Sequence, residues 1–189
     1  MAKSSLDRLA ETEEIGVIWK SFELRPKNAP PIPPEQLKAY KERIEAAWPN
    51  TKRIAKEMYG VDMEHHRLGM NSRLALEGAK FAEEQGLGEP YHNAMFRAHF
   101  VEDRDFGELE TLSDLAEEAG LNRAEFVAAI EEGRHAQQVD TDVTQAHAYG
   151  IRGVPALIIQ GKYFASGAQT LEALQDIVRQ VKEREEMEA

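Results

Sequence analysis

No cysteine occurs among the 189 residues of this chain. That absence removes disulfides, thiolate nucleophiles and thiolate metal sites together, whatever compartment the protein occupies. Long apolar runs are lacking too, so no stretch reaches the length of a membrane span. The opening residues, Met1-Ala2-Lys3-Ser4-Ser5-Leu6-Asp7-Arg8, hold no apolar core of the kind a secretory signal carries. Positive charge is scarce: 23 basic residues face 34 acidic ones, for a formal net charge of −11. An acidic surface repels phosphate backbones and anionic lipid, so neither nucleic acid nor membrane is expected as a partner. The expected location is cytoplasmic.

What is present fits an ordinary globular protein, with 42% hydrophobic and 30% charged residues. The length suits one domain, or one domain with a large insertion. A chain of this size buries about two-thirds of its unfolded surface, enough to fold without a disulfide or metal. Leu6, Leu9 and Ala10 recur at helical spacing and predict a helix over residues 2–14. Ile15 to Leu24 is rich in β-branched and aromatic residues and reads as a strand. It ends at Arg25-Pro26, since proline cannot donate to a ladder. Five prolines between Pro26 and Pro34 predict an extended linker.

From Glu35 to about Tyr149 every segment reads as helix. One stripe is Leu37, Tyr40, Ile44 and Ala47, ending near Trp48-Pro49; Ile54, Ala55 and Met58 carry on to Gly60 as a C-cap. Further stripes predict helices over residues 71–85, 91–100 and 109–119. Asn122 with Glu125 three residues on marks another start. A last helix of the block runs from Arg134 to Tyr149, with Val139, Val143, Ala146 and Tyr149 inward. Then the pattern changes. Val154 to Ile159 is a short apolar run, Gln160-Gly161 a turn, and Lys162 to Ala165 a second strand, together a hairpin. Leu171, Leu174, Ile177, Val178 and Val181 mark an amphipathic terminal helix with Thr170 as N-cap, its charged tail from Lys182 fraying.

The stretch Gly150-Ile151-Arg152-Gly153-Val154-Pro155-Ala156-Leu157-Ile158-Ile159, with Gly161-Lys162-Tyr163 and Ser166-Gly167-Ala168-Gln169 after it, resembles the end of DsbA-family thioredoxin-like proteins. The FrnE-like subgroup, related to 2-hydroxychromene-2-carboxylate isomerases, is the one it resembles most. Trp19 to Pro26, Asn71 to Ala75 and Phe96 to Asp105 resemble further family segments. The resemblance implies an α/β thioredoxin-like sheet made by residues 1–34 and 150–189, with residues 35–149 as an all-helical insertion. It implies that Val154-Pro155 is cis and faces the binding site. It also implies a strand and a Cys-x-x-Cys turn before the first helix, and Lys3 to Leu9 matches the body of that helix. The chain is therefore expected to be shortened at its N-terminus and to lack the central strand between those at Ile15 and Val154.

The family's chemistry is thiol–disulfide exchange, which needs a thiolate tuned by a helix N-terminus. No catalytic residue is assigned, and the chain as it stands is expected to be redox-inactive. Ser4 and Ser5 align within the helix rather than before it and read as capping or solvent-facing residues. The histidines, His65, His66, His92, His99, His135 and His147, form no His-x-x-x-His pair beside a carboxylate, so neither metal nor cofactor is expected. Val154 and Pro155 are the candidate substrate-binding residues, through backbone pairing with an extended cysteine-containing peptide or glutathione. Alternative expectations are a non-catalytic peptide- or glutathione-binding module and a relative of the glutathione-dependent isomerases. The strand at Ile15 is expected to pair with that at Val154 or to recruit a second copy, giving a homodimer through the exposed sheet edge.

Overall fold

The computed structural model describes residues 1–26 and 28–188. The linker expected over Pro26–Pro34 includes Lys27, which lies outside the described residues. The chain divides into two compact units, one of Met1–Trp19, Pro49–Asp62 and Gly153–Ala189, the other of Lys20–Trp48 and Met63–Arg152.

The second unit is helical. Helix α2 (Pro34–Tyr59) begins in it, and α3 (Arg73–Glu84), α4 (Gly88–Phe100), α5 (Leu109–Glu118), α6 (Arg123–Glu131) and α7 (Ala136–Ala148) complete it. Its hub is α3, against which α4, α5, α6 and α7 all pack. The sequence of α3 explains why. Ala75, Gly78, Ala79 and Ala82 are small and buried, so neighbouring helices approach its backbone closely. Tyr91 and Phe126 fill the space that these small side chains leave, both wholly excluded from solvent. The Tyr91 hydroxyl donates to the Ala75 carbonyl at 3.2 Å, which satisfies a polar atom that burial would otherwise strand. Asn122 caps α6, its side chain accepting from the Glu125 amide at 3.0 Å as the sequence predicts.

Two ionic clusters fasten the irregular segment Lys20–Leu24 to this bundle. Asp142 on α7 is only 5% exposed. Its carboxylate accepts from Lys20 Nζ at 2.9 Å and from the Ser21 amide at 3.0 Å, and it pairs with Lys80 of α3 at 2.9 Å. Burial alone pushes this carboxyl upward, but the Ser21 amide and the two ammonium groups outweigh it and hold Asp142 below the ordinary aspartate range. Arg73 makes the second cluster, reaching Asp140 and Glu77 at 2.6 Å, Glu23 at 3.2 Å and the Ala136 carbonyl at 2.9 Å.

The other unit holds α1 (Ala2–Thr12), the end of α2, the hairpin β1 (Ala156–Ile159) and β2 (Tyr163–Ser166), and α8 (Leu171–Glu188). Leu6 and Leu9 of α1 meet Leu174 of α8 in a small core, flanked by Ile15, Trp19, Leu157, Leu171 and Val178. Thr170 caps α8, its hydroxyl accepting from the Ala173 amide at 3.3 Å. The strands pair antiparallel with Ile158 opposite Phe164, and they form a sheet of two.

Several expectations need correction. Ile15–Leu24 makes no strand: the sheet holds only β1 and β2 among the described residues, so this extended stretch has no ladder to join. Strand-forming composition alone does not make a strand where backbone groups find no neighbour. Pairing of Ile15 with the Val154 strand within the chain is therefore absent. Helix α2 does not stop at Trp48-Pro49 but runs through Pro49. Residues 60–72 are irregular, between Gly60 at φ +65° and α3. Tyr149 is 49% exposed, and Asp142 rather than Tyr149 takes an inward place on α7. The tail from Lys182 stays helical to Glu188, held by Lys182–Glu13 at 2.8 Å and Lys162–Glu185 at 3.0 Å.

Two measurements check this account. A Cβ at Gly78 would strike the Tyr91 hydroxyl and lie 2.8 Å from the Phe126 ring. Gly78→Ala gains about 1 kcal/mol of helix propensity, yet overpacking costs about 2–3 kcal/mol. Urea unfolding is expected to show net destabilisation, and a stabilised variant would refute the close packing of α3. For Asp142 the folded pKa lies below the unfolded value of about 3.9. Its contribution is thus present above that pH and is lost as pH falls through the folded value. Asp142→Asn should cost about 3–5 kcal/mol at neutral pH and flatten the acid limb of the stability profile; an unchanged limb would show that other carboxylates set it.

Candidate functional site

The hairpin entrance forms from its turns outward. Gln160 at φ +53° and Gly161 at φ +68° make the tight turn, closed by the Lys162 amide donating to the Ile159 carbonyl at 3.1 Å. The tip is tied to α8, where Glu185 accepts from Lys162 Nζ at 3.0 Å and from the Tyr163 hydroxyl at 3.2 Å. Lys162 together with Tyr163 keeps the Glu185 carboxyl below its ordinary range. At the open end the Gly167 amide donates to the Pro155 carbonyl at 2.9 Å. That bond fixes the alternation. Pro155, Leu157 and Ile159 turn their polar groups toward β2, so Ala156 and Ile158 turn theirs to the side where no strand lies among the described residues.

The Val154–Pro155 peptide bond is cis, and Val154 is 52% exposed. Neither strand residue beside it is buried: all four positions of β1 are half-exposed, although their sequence is Ala-Leu-Ile-Ile. An apolar strand normally buries at least one face. Here Leu157 leans on the α1–α8 core while Ile158 and Phe164, opposite one another, face outward, Phe164 at 57% exposure. The loop after β2 is held from behind. Tyr59, at the end of α2, donates its hydroxyl to the Ala168 carbonyl at 2.9 Å, and its own carbonyl accepts from Ser4 Oγ at 2.7 Å.

Ser4 is therefore spent on positioning Tyr59, and Ser5 is 2% exposed. Both lie within α1, as the sequence reading places them, but neither caps it or faces open solvent: Ser5 is buried and Ser4 is bonded to the end of α2. The histidines scatter through the helical unit. His99 sits edge-on to Phe100 and Phe106, and burial pushes its pKa down. His135, 4% exposed, contacts Glu84 at 2.8 Å and packs against Phe81. His65 and His66 line a shallow depression with Trp48, Glu64, Arg67 and Asp103. No cluster of three or more metal-ligating side chains occurs among the described residues, and no helix there is long and apolar enough to cross a membrane.

Sequence reasoning singled out Val154 and Pro155 but missed Tyr59, whose hydroxyl holds the neighbouring loop. Its signal was faint: a lone tyrosine beside a glycine C-cap. The outward Ile158–Phe164 pair was legible only once the strand register was known.

Comparison with known proteins gives these features a context. The profile of the DSBA-like thioredoxin domain matches residues 1–179. An uncharacterized protein of Bacillus subtilis, YwbO, is 32% identical over 166 residues, covering 84% of this chain and 79% of that protein. The thiol:disulfide interchange protein DsbA of Pseudomonas aeruginosa is 27% identical over 81 residues, 43% of this chain and 38% of that protein. In structure, a probable DsbA oxidoreductase from Streptomyces coelicolor superposes with a TM-score of 0.80 at 26% identity, over 95% of this chain and 82% of the other. A 2-hydroxychromene-2-carboxylate isomerase shares the fold, with a TM-score of 0.75 at 19% identity, over 100% and 92% of the two chains. The architecture is the DsbA-like thioredoxin fold, with a two-stranded sheet and a large helical part. By the extent of these matches the chain belongs to the DSBA-like thioredoxin domain family.

Proposed function

We propose that this chain is a redox-inactive, thioredoxin-like binding module that receives an extended segment along the backbone at Val154 and Pro155. The observation that carries the reading is the open side of β1. Among the described residues Ala156 and Ile158 have no neighbouring strand there, and Val154 stands half-exposed beside them. An extended peptide, a cysteine-containing one or glutathione, could hydrogen-bond to that backbone as an added strand does. The outward Ile158 and Phe164 supply apolar contact for its side chains. Thiol–disulfide exchange is left out of the reading because none of these 189 residues can supply the attacking thiolate. Within this reading residues 1–34 and 150–189 make the thioredoxin-like domain, β1 and β2 both lying in the second segment, and residues 35–149 are its helical insertion.

Two assays test it. Insulin reduction in the presence of dithiothreitol should proceed at the uncatalysed rate, and a rate above background would overturn the redox part. Titration with glutathione, and separately with an extended cysteine-bearing peptide, should shift the Val154 and Ile158 amide resonances. Val154→Pro should weaken that binding by about tenfold, the loss of roughly one backbone hydrogen bond. Unmoved resonances with both ligands would remove the binding part. A concentration-dependent dimer in sedimentation, with those same two amides shifted on dilution, would instead assign the edge to a second copy of the chain.

A further inference from the structure

The first half of α2 is an amphipathic helix whose apolar side is met by His66 at its C-terminal edge, the His66 and Trp48 rings 4.2 Å apart, and is exposed at Leu37 and Tyr40. Leu37, Tyr40, Ile44 and Ala47 form a stripe at positions three and four apart. Leu37 is 36% and Tyr40 41% exposed, and Ile44 is only half-buried. None of the three belongs to either apolar core. Within their own unit, none of α3 to α7 packs extensively along residues 34–48. A free helix of this length is marginal in water, and most helices in proteins draw their stability from burying an apolar face. An uncovered stripe of this kind marks an interaction surface.

Charge around the stripe identifies the occupant. At 100° per residue, Gln36 and Arg43 border the stripe on one side and Lys41 and Trp48 on the other. Glu35 and Glu42 fall on the opposite face, where Glu42 pairs with Lys38 at 3.9 Å, and Glu45 is turned to His66 at 3.2 Å. Arg43 lies over the Tyr40 ring, 5.6 Å from its centroid. Neither Lys41 nor Arg43 reaches a carboxylate among the described residues. In a chain with net charge −11, the charged residues among these four neighbours, Lys41 and Arg43, are both cations.

We infer that residues 34–48 dock an amphipathic helix of another protein whose apolar stripe is flanked by carboxylates. Its leucine-type side chains would cover Leu37, Tyr40 and Ile44, and its acids would meet Lys41 and Arg43. A second copy fits less well. Antiparallel overlay of two such stripes about a two-fold axis brings Lys41 near Lys41 and Arg43 near Arg43, and like charges in register repel. The inference is independent of the Val154 reading, since it uses no residue of the hairpin.

Fluorescence anisotropy with two synthetic helical probes tests it. One carries leucines along one face with glutamates beside them; the other replaces those glutamates by lysines. The intact chain should bind the acidic probe at least about tenfold more tightly than the basic one, and added salt should weaken that binding. Lys41→Glu with Arg43→Glu should reverse the preference, and Tyr40→Ala should weaken the acidic probe by about tenfold. Glu42→Gln, on the far face, should leave it unchanged. Circular dichroism and melting of each variant confirm folding, and a probe with glutamines in place of glutamates gives the same comparison without any variant. Equal affinity for the acidic and basic probes, or no binding of the acidic one, would overturn the inference. So would a dimer dispersed by Leu37→Arg, or tighter binding to phosphatidylserine vesicles than to the acidic probe.

Discussion

One buried carboxylate organises the helical unit. Asp142 of α7 gathers an amide and two ammonium groups from two distant places in the sequence, Ser21 with Lys20, and Lys80 on α3. The interaction is costly to leave incomplete. A lone carboxylate at this depth would lose several kcal/mol of hydration, on the order of what a small domain has in reserve. Its three partners remove that penalty and fix the registry of an irregular segment that has no ladder of its own. The Arg73 cluster repeats the device with the signs exchanged, one guanidinium among Glu23, Glu77 and Asp140. Lys20 to Leu24 is thus positioned by side-chain ionic contacts where a strand would have used backbone pairs.

The helical elements were legible because each carries its own period and its own stops. Asn122 with Glu125, Gly60 and Thr170 mark boundaries by local chemistry that does not depend on the rest of the chain, and the structure keeps them within a residue or two. Leu6 and Leu9, Tyr91 and Phe126, or Leu112 and Leu115 are inward in the structure as the stripes imply. The hairpin was legible for the same reason, since its turn and its apolar run are adjacent.

Nonlocal features were not. Ile15 to Leu24 has strand composition, but a strand exists only where a neighbour offers hydrogen bonds, and composition says nothing of neighbours. Val139, Val143 and Tyr149 gave α7 a plausible apolar face, yet the inward position of Asp142 depends on Lys80, over sixty residues away. Proline at position 49 suggested a break, but α2 runs through it to a second half in which Ala55 and Tyr59 are buried. At the candidate site the resemblance named Val154 and Pro155, while the support from Tyr59 and the outward Ile158–Phe164 pair came from register and packing.

The passage of α2 through Pro49 carries a further consequence. Proline has no amide hydrogen, so the Glu45 carbonyl lacks its intrahelical donor and the hydrogen-bonded chain is interrupted there. The helix, about 39 Å long at 1.5 Å per residue, is continuous in its path but divided in its cooperativity. Amide protons from Leu37 to Trp48 depend on a helix with no buried residue, whereas those near Ala55 and Tyr59 share in a packed core. Solvent exchange would therefore proceed at two separate rates along one unbroken rod, the exposed half opening by local fluctuation and the anchored half only with the unit that holds it.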